Sequence, residues 1–188
     1  MSDESLVTAM QFADSFLPAG SFTTSYGVEQ FAADDVTDAE DLRALVETYL
    51  RRQVGPCDMV VVAAAHAAAA ADDHETLRRV DRRLSAVQLP AEFRESSTRT
   101  GGQLCSLVAD TEDDPFLRAY DESVDAGDAP GNYAAVLGAV CARTGTTARE
   151  GALVQGYSFV TERVAAAQRV LRIGYTDVER IGTAARRT

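Results

Sequence analysis

The sequence predicts an all-α protein, built as a single-domain bundle of about eight to ten helices that spans residues 1–188. Three observations predict this class: apolar residues recur at spacings of three and four, capping side chains precede these segments, and proline or glycine separates them. The chain has 188 residues, of which 46% are hydrophobic, enough to bury one sizeable core. No tandem repeat or low-complexity linker divides it. We therefore expect one helical domain without a sheet.

The first strong helix signal is the segment Thr37–Glu40, read TDAE. A threonine cap and a glutamate three residues later satisfy backbone N–H groups that have no partner inside a helix. The apolar residues that follow at helical spacing are Leu42, Leu45, Val46, Tyr49 and Leu50. The pair Gly55-Pro56 is predicted to end this helix. The apolar run from Met59 to Ala71 is predicted to form one buried helix, because alanine favours helix over strand.

Further helix starts of the same chemistry follow along the chain. Each places a side-chain oxygen before an apolar periodic segment, and each segment ends near a proline or glycine. These starts are Asp72–Glu75, in a helix stopped by Pro90; Asp114 with Pro115; Asn132, before 133–143; Thr147–Glu150, before a long helix reaching Leu171; and Thr176–Glu179, before a last short helix.

The charge composition excludes several classes of partner. All 18 basic residues are arginine, 29 residues are acidic, and the net charge is −11. Such a chain is repelled by phosphates, so neither nucleic acid nor an anionic membrane surface is an expected partner. A stripe of four arginines is expected to form a solvated, salt-bridged helix face with nearby acids; the residues are Arg78, Arg79, Arg82 and Arg83 with Asp72, Asp73, Glu75 and Asp81. The acidic, lysine-free composition is of a halophilic type, adapted to molar salt.

The termini and cysteines indicate a reduced, cytoplasmic protein. The N-terminal segment MSDESLVTAM carries acids where a secretory signal carries bases. The longest apolar run, Met59 to Ala71, falls short of the roughly 20 residues that span a bilayer, so we expect no membrane association. The three cysteines, Cys57, Cys105 and Cys141, are widely spaced among small or apolar neighbours. They are expected to be buried thiols rather than a disulfide framework or a zinc site.

A search for catalytic chemistry predicts no catalytic residue, no metal site and no cofactor. The chain has no phosphate-binding glycine loop, no lysine and no Gly-x-Ser-x-Gly motif. His66 and His74 stand eight residues apart, whereas a metal pair on a helix needs a spacing of four. One alternative stays open: a helical metal-binding protein or enzyme that uses His66 with Asp58 or Cys57.

Two segments depart from plain helical patterning, and a third, weaker one accompanies them. Residues 16–29 read FLPAGSFTTSYGVE, a proline and glycine followed by hydroxyl and aromatic residues. Residues 95–104 read ESSTRTGGQL, in which Gly101 and Gly102 cost helix stability, so that we expect close backbone approach by another helix or a partner. Residues 165–177 read AAAQRVLRIGYTD, the arginine-bearing end of a helix followed by a turn.

These segments resemble the UreF family of urease accessory proteins. The first is similar to the family's Pro-x-Gly-small-aromatic run followed by Ser-aromatic-Gly-aliphatic-Glu, and the second to its Glu, Ser, Arg and Gly-Gln-Leu stretch. The third is a weaker match, because Arg172-Ile173 stands where the family often has proline, and Tyr175 where it has glutamine. The resemblance runs from about Leu6 to Ile181, nearly the whole chain.

The resemblance implies a UreF-like, all-helical homodimer that acts as an adaptor and chaperone and is not an enzyme. Such a protein bridges UreD, also called UreH, and the GTPase UreG, and through them assists nickel insertion into apo-urease. The candidate partner-binding residues carried over from the motifs are Phe22, Tyr26, Glu29, Arg99, Gly102, Gln103, Arg169 and Arg172.

Two alternatives stay open beside this interpretation. Phe22 and Tyr26, at a spacing of four, fit a buried core as well as a partner surface. A general helical scaffold or regulator without a link to urease is the other. Many family members continue past the third motif with a tail, and residues 182–188 are expected to fray in isolation and to become ordered on a partner.

Overall fold

The structure is a computed structural model that describes residues 3–13, 38–88 and 91–188. Within these ranges it contains eight helices and no strand, which confirms the predicted all-α class. The helices are α1 (Asp3–Ala13), α2 (Ala39–Ala70), α3 (His74–Val87), α4 (Ala91–Thr111), α5 (Pro115–Asp125), α6 (Tyr133–Arg143), α7 (Ala148–Val170) and α8 (Tyr175–Ala185).

The predicted break at Gly55-Pro56 is wrong, because α2 runs through it. The helix is α-helical over Ala39–Tyr49, π-helical over Leu50–Met59 and α-helical again over Val60–Ala70. Pro56 has no N–H to donate, and the wider π turns place it inside the helix without ending it. Tertiary packing overrides the local signal here, because Val54 and Asp58 of this stretch are buried.

The long helix α7 starts as predicted. Thr147 Oγ1 accepts a hydrogen bond from the Glu150 backbone N–H at 3.3 Å, and Glu150 Oε2 accepts one from the Thr147 backbone N–H at 2.8 Å. This capping box precedes 23 helical residues ending at Val170. Asp114 likewise caps α5, since its Oδ1 accepts from the N–H groups of Phe116 at 2.9 Å and Leu117 at 3.0 Å.

Two other predicted starts are shifted by one or two residues. The cap of α3 is Asp73, whose Oδ1 accepts from Thr76 N at 2.9 Å, and not Asp72. The last helix begins at Tyr175 after Gly174 rather than at Thr176. At the start of α2 the side chain of Asp38 caps the N–H groups of Glu40 and Asp41. Thr37 and Pro90 lie outside the described residues.

The main core lies between the second half of α2, α4, α6 and α7, with α3 and α5 completing it. Residues 134–141 of α6 are all buried, so this helix is enclosed on every side. Gly138 permits a close approach of the two helices, since a Cβ atom there would lie 2.3 Å from the Val62 carbonyl oxygen of α2. The large fully buried side chains of this core are Val62, Leu77, Leu84, Leu104, Leu117, Tyr120, Val136 and Leu137.

A second core joins the first half of α2 to α7 and α8. Ile181 is the buried residue that α8 contributes, with 2% of its surface exposed. Tyr49 of α2 lies between two aromatic rings, 6.1 Å from the Phe93 centroid and 6.0 Å from the Phe159 centroid. The other buried members are Leu42, Val46, Val54, Val160, Val164, Ala166 and Ala167.

The cysteine prediction is confirmed at two of three positions. Cys105 and Cys141 are fully buried, whereas Cys57 is half-buried, and all three are free thiols. Burial raises the pKa of Cys141 to about 12 and raises that of Cys105 further. Both are therefore protonated and unreactive at neutral pH.

The predicted arginine stripe on α3 is solvated, with Arg79, Arg82 and Arg83 exposed, but its predicted salt bridges are wrong. Within the described residues none of its four arginines takes part in an ion pair. Arg82 donates to the Asp128 carbonyl oxygen at 3.0 Å, and Arg79 donates to Thr76 Oγ1 at 2.8 Å. Asp81 is fully buried and has other partners.

By length and composition alone, one described helix could cross a membrane, namely α2. A core helix passes the same test, and 39% of the apolar window of α2 is buried inside the molecule. Val62, Ala65 and Ala69 on its second half are completely buried in the main core.

Candidate functional site

The candidate residues on α4 lie on its exposed side. Arg99 and Gln103 are exposed and stand one helical turn apart, whereas Thr100 and Leu104 face the core. Gly102 is half-buried, and a Cβ atom added there would meet nothing within 4 Å. The structure therefore brings Arg99, Gly102 and Gln103 together on one accessible helix, which we call the α4 surface.

The two adjacent glycines of α4 have different roles. A Cβ atom at Gly101 would lie 2.1 Å from the Gly131 carbonyl oxygen and 2.6 Å from the Tyr133 nitrogen, so only glycine fits. This contact confirms the expected close backbone approach for Gly101. Gly102 faces open space, where its missing side chain leaves room above the helix.

The candidate residues near the third motif are also exposed. Arg169 lies in the last turn of α7, and Arg172 lies in the connection to α8. A cation at a helix C-terminus also stabilises the helix dipole, which is a structural reason for Arg169. Val170 and Tyr175 beside them are exposed by 44% and 87%. We call Arg169, Val170, Arg172 and Tyr175 the α7–α8 surface.

The candidates from the first motif, Phe22, Tyr26 and Glu29, lie outside the described residues. The structure brings together the α4 set and the α7–α8 set separately, on different helices.

The residues of the alternative metal-binding or catalytic hypothesis have separate surroundings and do not share one site. His66 Nε2 lies 3.0 Å from the Thr146 carbonyl oxygen, and Asp58 Oδ1 accepts from Gln88 Nε2 at 3.3 Å. Burial and the nearby Asp58 charge raise the pKa of Cys57, which disfavours its reactive thiolate form. Within the described ranges, no group of three or more His, Cys, Asp or Glu side chains stands close enough to hold a metal ion.

Sequence reasoning missed a polar pocket of about 50 Å³ between the π-helical stretch of α2, α4 and α7. Asp58 lies in its wall and is 8% exposed, and burial raises its pKa from 3.8 to about 6. Arg163, stacked 4.5 Å from the Phe159 ring centroid, is the buried cation of the same wall. We call this the Asp58 pocket. The available sequence signal was two isolated polar residues, Asp58 and Gln88, each between apolar neighbours.

Comparison with known proteins identifies the family. The family model described as UreF matches residues 36–186, which take in α2 through α8. The chain belongs to the UreF family. It is 32% identical to a urease accessory protein UreF of Yersinia enterocolitica over 182 residues, which cover 96% of this chain and 79% of the relative.

Other relatives agree with this assignment. Urease accessory protein UreF of Yersinia pseudotuberculosis serotype IB is 32% identical, and that of Yersinia pestis strain Pestoides F is 31% identical, both over 96% of this chain and 79% of the relative. The resemblance read from the motifs is thereby confirmed. This UreF family member is a urease accessory protein whose α4 and α7–α8 surfaces both lie in the matched region.

Proposed function

We propose that this chain is a cytoplasmic adaptor that bridges UreD (UreH) and the GTPase UreG and so assists nickel insertion into apo-urease. It acts as a homodimer, has no catalytic activity of its own and needs no cofactor. Membership of the UreF family is the observation that carries the proposal. In this role the relevant chemistry is that of protein interfaces, in which a few aromatic and arginine anchors supply most of the binding energy.

Two exposed regions support the bridging role. The α4 surface offers Arg99 and Gln103 beside the open space at Gly102, and the α7–α8 surface offers Arg169 and Arg172. They lie on different helices, so each can contact a separate partner. Each combines arginine with room or exposed apolar area, the pattern expected of an interface centre.

Exposed apolar side chains on α7 add to this support. Leu153 and Tyr157 stand one turn apart and are exposed by 54% and 55%. Exposing large apolar groups to water costs free energy, and adjacent exposed ones are typical of surfaces that a partner covers. Tyrosine is enriched at such surfaces because its ring packs while its hydroxyl remains hydrogen-bonded.

The test is reconstitution of the complex. The purified chain is mixed with the UreD and UreG of its own organism in molar KCl, and light scattering gives the mass of each species that elutes from a sizing column. We expect a stoichiometric ternary complex in which this chain is dimeric. A chain that elutes alone at every mixing ratio overturns the proposal and favours the metal-binding or enzymatic alternative.

Surface variants assign the partners. Replacing Arg99 and Gln103 together by alanine is expected to weaken binding of one partner at least tenfold, because interface arginines contribute about 1–3 kcal/mol or more each. Arg79→Ala is the matched control, since Arg79 is an exposed arginine of α3 outside both surfaces. The double variant Arg169→Ala with Arg172→Ala tests the second surface. Equal binding by both double variants and the control would remove these surfaces from the proposal.

A further inference from the structure

The Asp58 pocket is lined by three buried oxygen atoms that have no hydrogen-bond partner. They are Gln88 Oε1, Thr100 Oγ1 and Gln155 Oε1, on residues that are 5%, 4% and 9% exposed. They come from the connection after α3, from α4 and from α7. A polar atom that is buried without a partner destabilises the folded state, because it has lost its hydrogen bonds to water. Three such atoms in one cavity indicate a bound molecule that supplies the missing hydrogen bonds.

The orientation of the Gln88 amide shows which hydrogen-bonding groups the bound molecule must have. Its Nε2 group donates to Asp58 Oδ1 at 3.3 Å, so its Oε1 atom is the group left to accept. Reversing the amide would place its oxygen against the Asp58 carboxyl group and lose this bond. Gln155 Oε1 likewise needs a donor, whereas the Thr100 hydroxyl can donate or accept. Arg163 on the same wall is itself a donor, so the bound molecule must both donate and accept hydrogen bonds, which a bare anion cannot do.

The volume of the cavity limits which hydrogen-bond donors can fit inside it. A water molecule needs about 10–15 Å³ of such volume and two to four polar partners. The cavity of about 50 Å³ has room for a few water molecules and is too small for most metabolites. Asp58, Glu162 and Arg163 line the same space, so a water molecule there also meets charged groups.

We propose that the Asp58 pocket is an internal hydration site, in which about two or three ordered water molecules bridge Gln88, Thr100 and Gln155 and reach the Asp58 carboxyl group. These waters occupy the junction of the π-helical stretch with α4 and α7. They are part of the packing on the buried side of α4, whose exposed side carries Arg99 and Gln103.

The first test is a high-resolution crystal structure of the full chain grown in RbCl. We expect two or three water peaks within hydrogen-bond distance of the three oxygen atoms, and no anomalous rubidium signal in the pocket. Rubidium replaces potassium or sodium at an oxygen-lined cation site and scatters anomalously, so a rubidium peak would overturn the proposal in favour of a cation site. An empty pocket would overturn it as well.

The second test counts long-lived waters in solution by magnetic relaxation dispersion. The double variant Thr100→Val with Gln155→Leu removes two of the bridging groups at nearly constant volume, and we expect the count to fall by at least one. Thr98→Val is the matched control, because the Thr98 hydroxyl on α4 bonds to the Glu95 carbonyl oxygen outside the pocket. An unchanged count in a folded double variant, checked by circular dichroism, would contradict the proposal.

Discussion

Asn132 donates from its Nδ2 atom to Asp81 Oδ1 at 2.7 Å, and its backbone N–H reaches the same oxygen at 3.0 Å. The other carboxyl oxygen of Asp81 accepts from the Tyr120 hydroxyl and from the Gly131 N–H, each at 2.7 Å. Asp81 is completely buried, and these four bonds join α3 to α5 and to the start of α6. A negative charge at a helix N-terminus is also favourable, because the helix dipole is positive there.

Asp81→Ala is therefore expected to be among the most destabilising single changes in this chain. It leaves three donors in the interior without an acceptor, the Tyr120 hydroxyl and the backbone N–H groups of Gly131 and Asn132, whereas Asn132 Nδ2 keeps its bond to Ser85 Oγ. We expect the free energy of unfolding to fall by about 3 kcal/mol or more. The measurement is urea unfolding in molar KCl. Glu122→Ala, at an exposed acid on α5, is the control and should change the value by less than about 0.5 kcal/mol. Similar values for the two variants would contradict the role of Asp81.

The adjacent glycines of α4 give a second matched pair. Gly101→Ala places Cβ 2.1 Å from the Gly131 carbonyl oxygen, and relieving that clash requires backbone movement. We expect destabilisation of about 2 kcal/mol or more. Gly102→Ala meets open space and is expected to stabilise α4 by up to about 1 kcal/mol, because alanine is the better helix former. Thermal unfolding of both variants checks the signs, and a stable Gly101→Ala protein would refute the predicted clash.

Asp58 gives a prediction about pH. Burial raises its pKa from 3.8 to about 6, so between these values the folded state binds more protons than the unfolded state. The favourable contribution of Asp58 to the free energy of unfolding is present at low pH and is lost as the pH rises through about 6. Asp58→Asn removes the cost of burying an ionised carboxyl group and keeps an oxygen that can accept the hydrogen bond from Gln88. We expect the variant to be more stable than wild type at about pH 8, by on the order of 1–3 kcal/mol, and nearly equal to it at about pH 4.

The readout for Asp58 is the difference in free energy of unfolding between variant and wild type at the two pH values. The contributions of the other titrating groups are the same in both proteins and cancel in this difference. Asp110→Asn, at an exposed aspartate of α4, is the control. A difference for Asp58→Asn that is the same at both pH values would show that the pKa of Asp58 is the same in the folded and unfolded states.

The acidic composition predicts dependence on salt. With a net charge of −11 and no lysine, the folded chain repels itself in dilute buffer. The melting temperature is expected to rise with KCl and to level off near molar concentration, where the Debye length is about 3 Å. Sorbitol at equal osmolality serves as the control, because it carries no charge. A melting temperature that is insensitive to KCl would argue against adaptation to high salt.

The C-terminal end gives a prediction about local stability. Residues 182–185 close α8 and 186–188 follow it, and the nearest deeply buried anchor is Ile181. We expect the amides of 182–188 to exchange fastest within α8 and its end, and to become protected in the complex with UreD and UreG. Hydrogen exchange with mass spectrometry measures both states. Amides of α6, which is buried on every side, serve as the slow reference within the same sample.

The sequence predicted the helical class and several helix starts because those signals are local. The Thr147–Glu150 box and the Asp114 cap act within four residues, and both were placed correctly. Gly55-Pro56 was misread for the same reason, since the local rule for proline does not include the burial of Val54 and Asp58 that holds α2 together.

The spacing of residues along the sequence could not predict contacts between residues that are far apart in the chain. Asp81 was expected to pair with surface arginines, but its partner Asn132 stands 51 residues away. The Asp58 pocket likewise combines residues from α2, α4 and α7, which no periodicity connects. The exposed positions of Arg99 and Gln103 agree with the motif-based expectation, whereas their binding role stays a prediction.

The π-helical stretch of α2 fixes the rotational phase between the two ends of one helix. Its first half presents Leu42 and Val46 to the second core, and its last third presents Val62 and Ala65 to the main core. Each residue of an α-helix turns the chain by about 100°, so removing one residue from 50–59 would rotate one end by that angle relative to the other. Length in this stretch is therefore tightly constrained, and substitutions at its exposed positions, such as Arg51 and Arg52, should be tolerated where insertions and deletions are not.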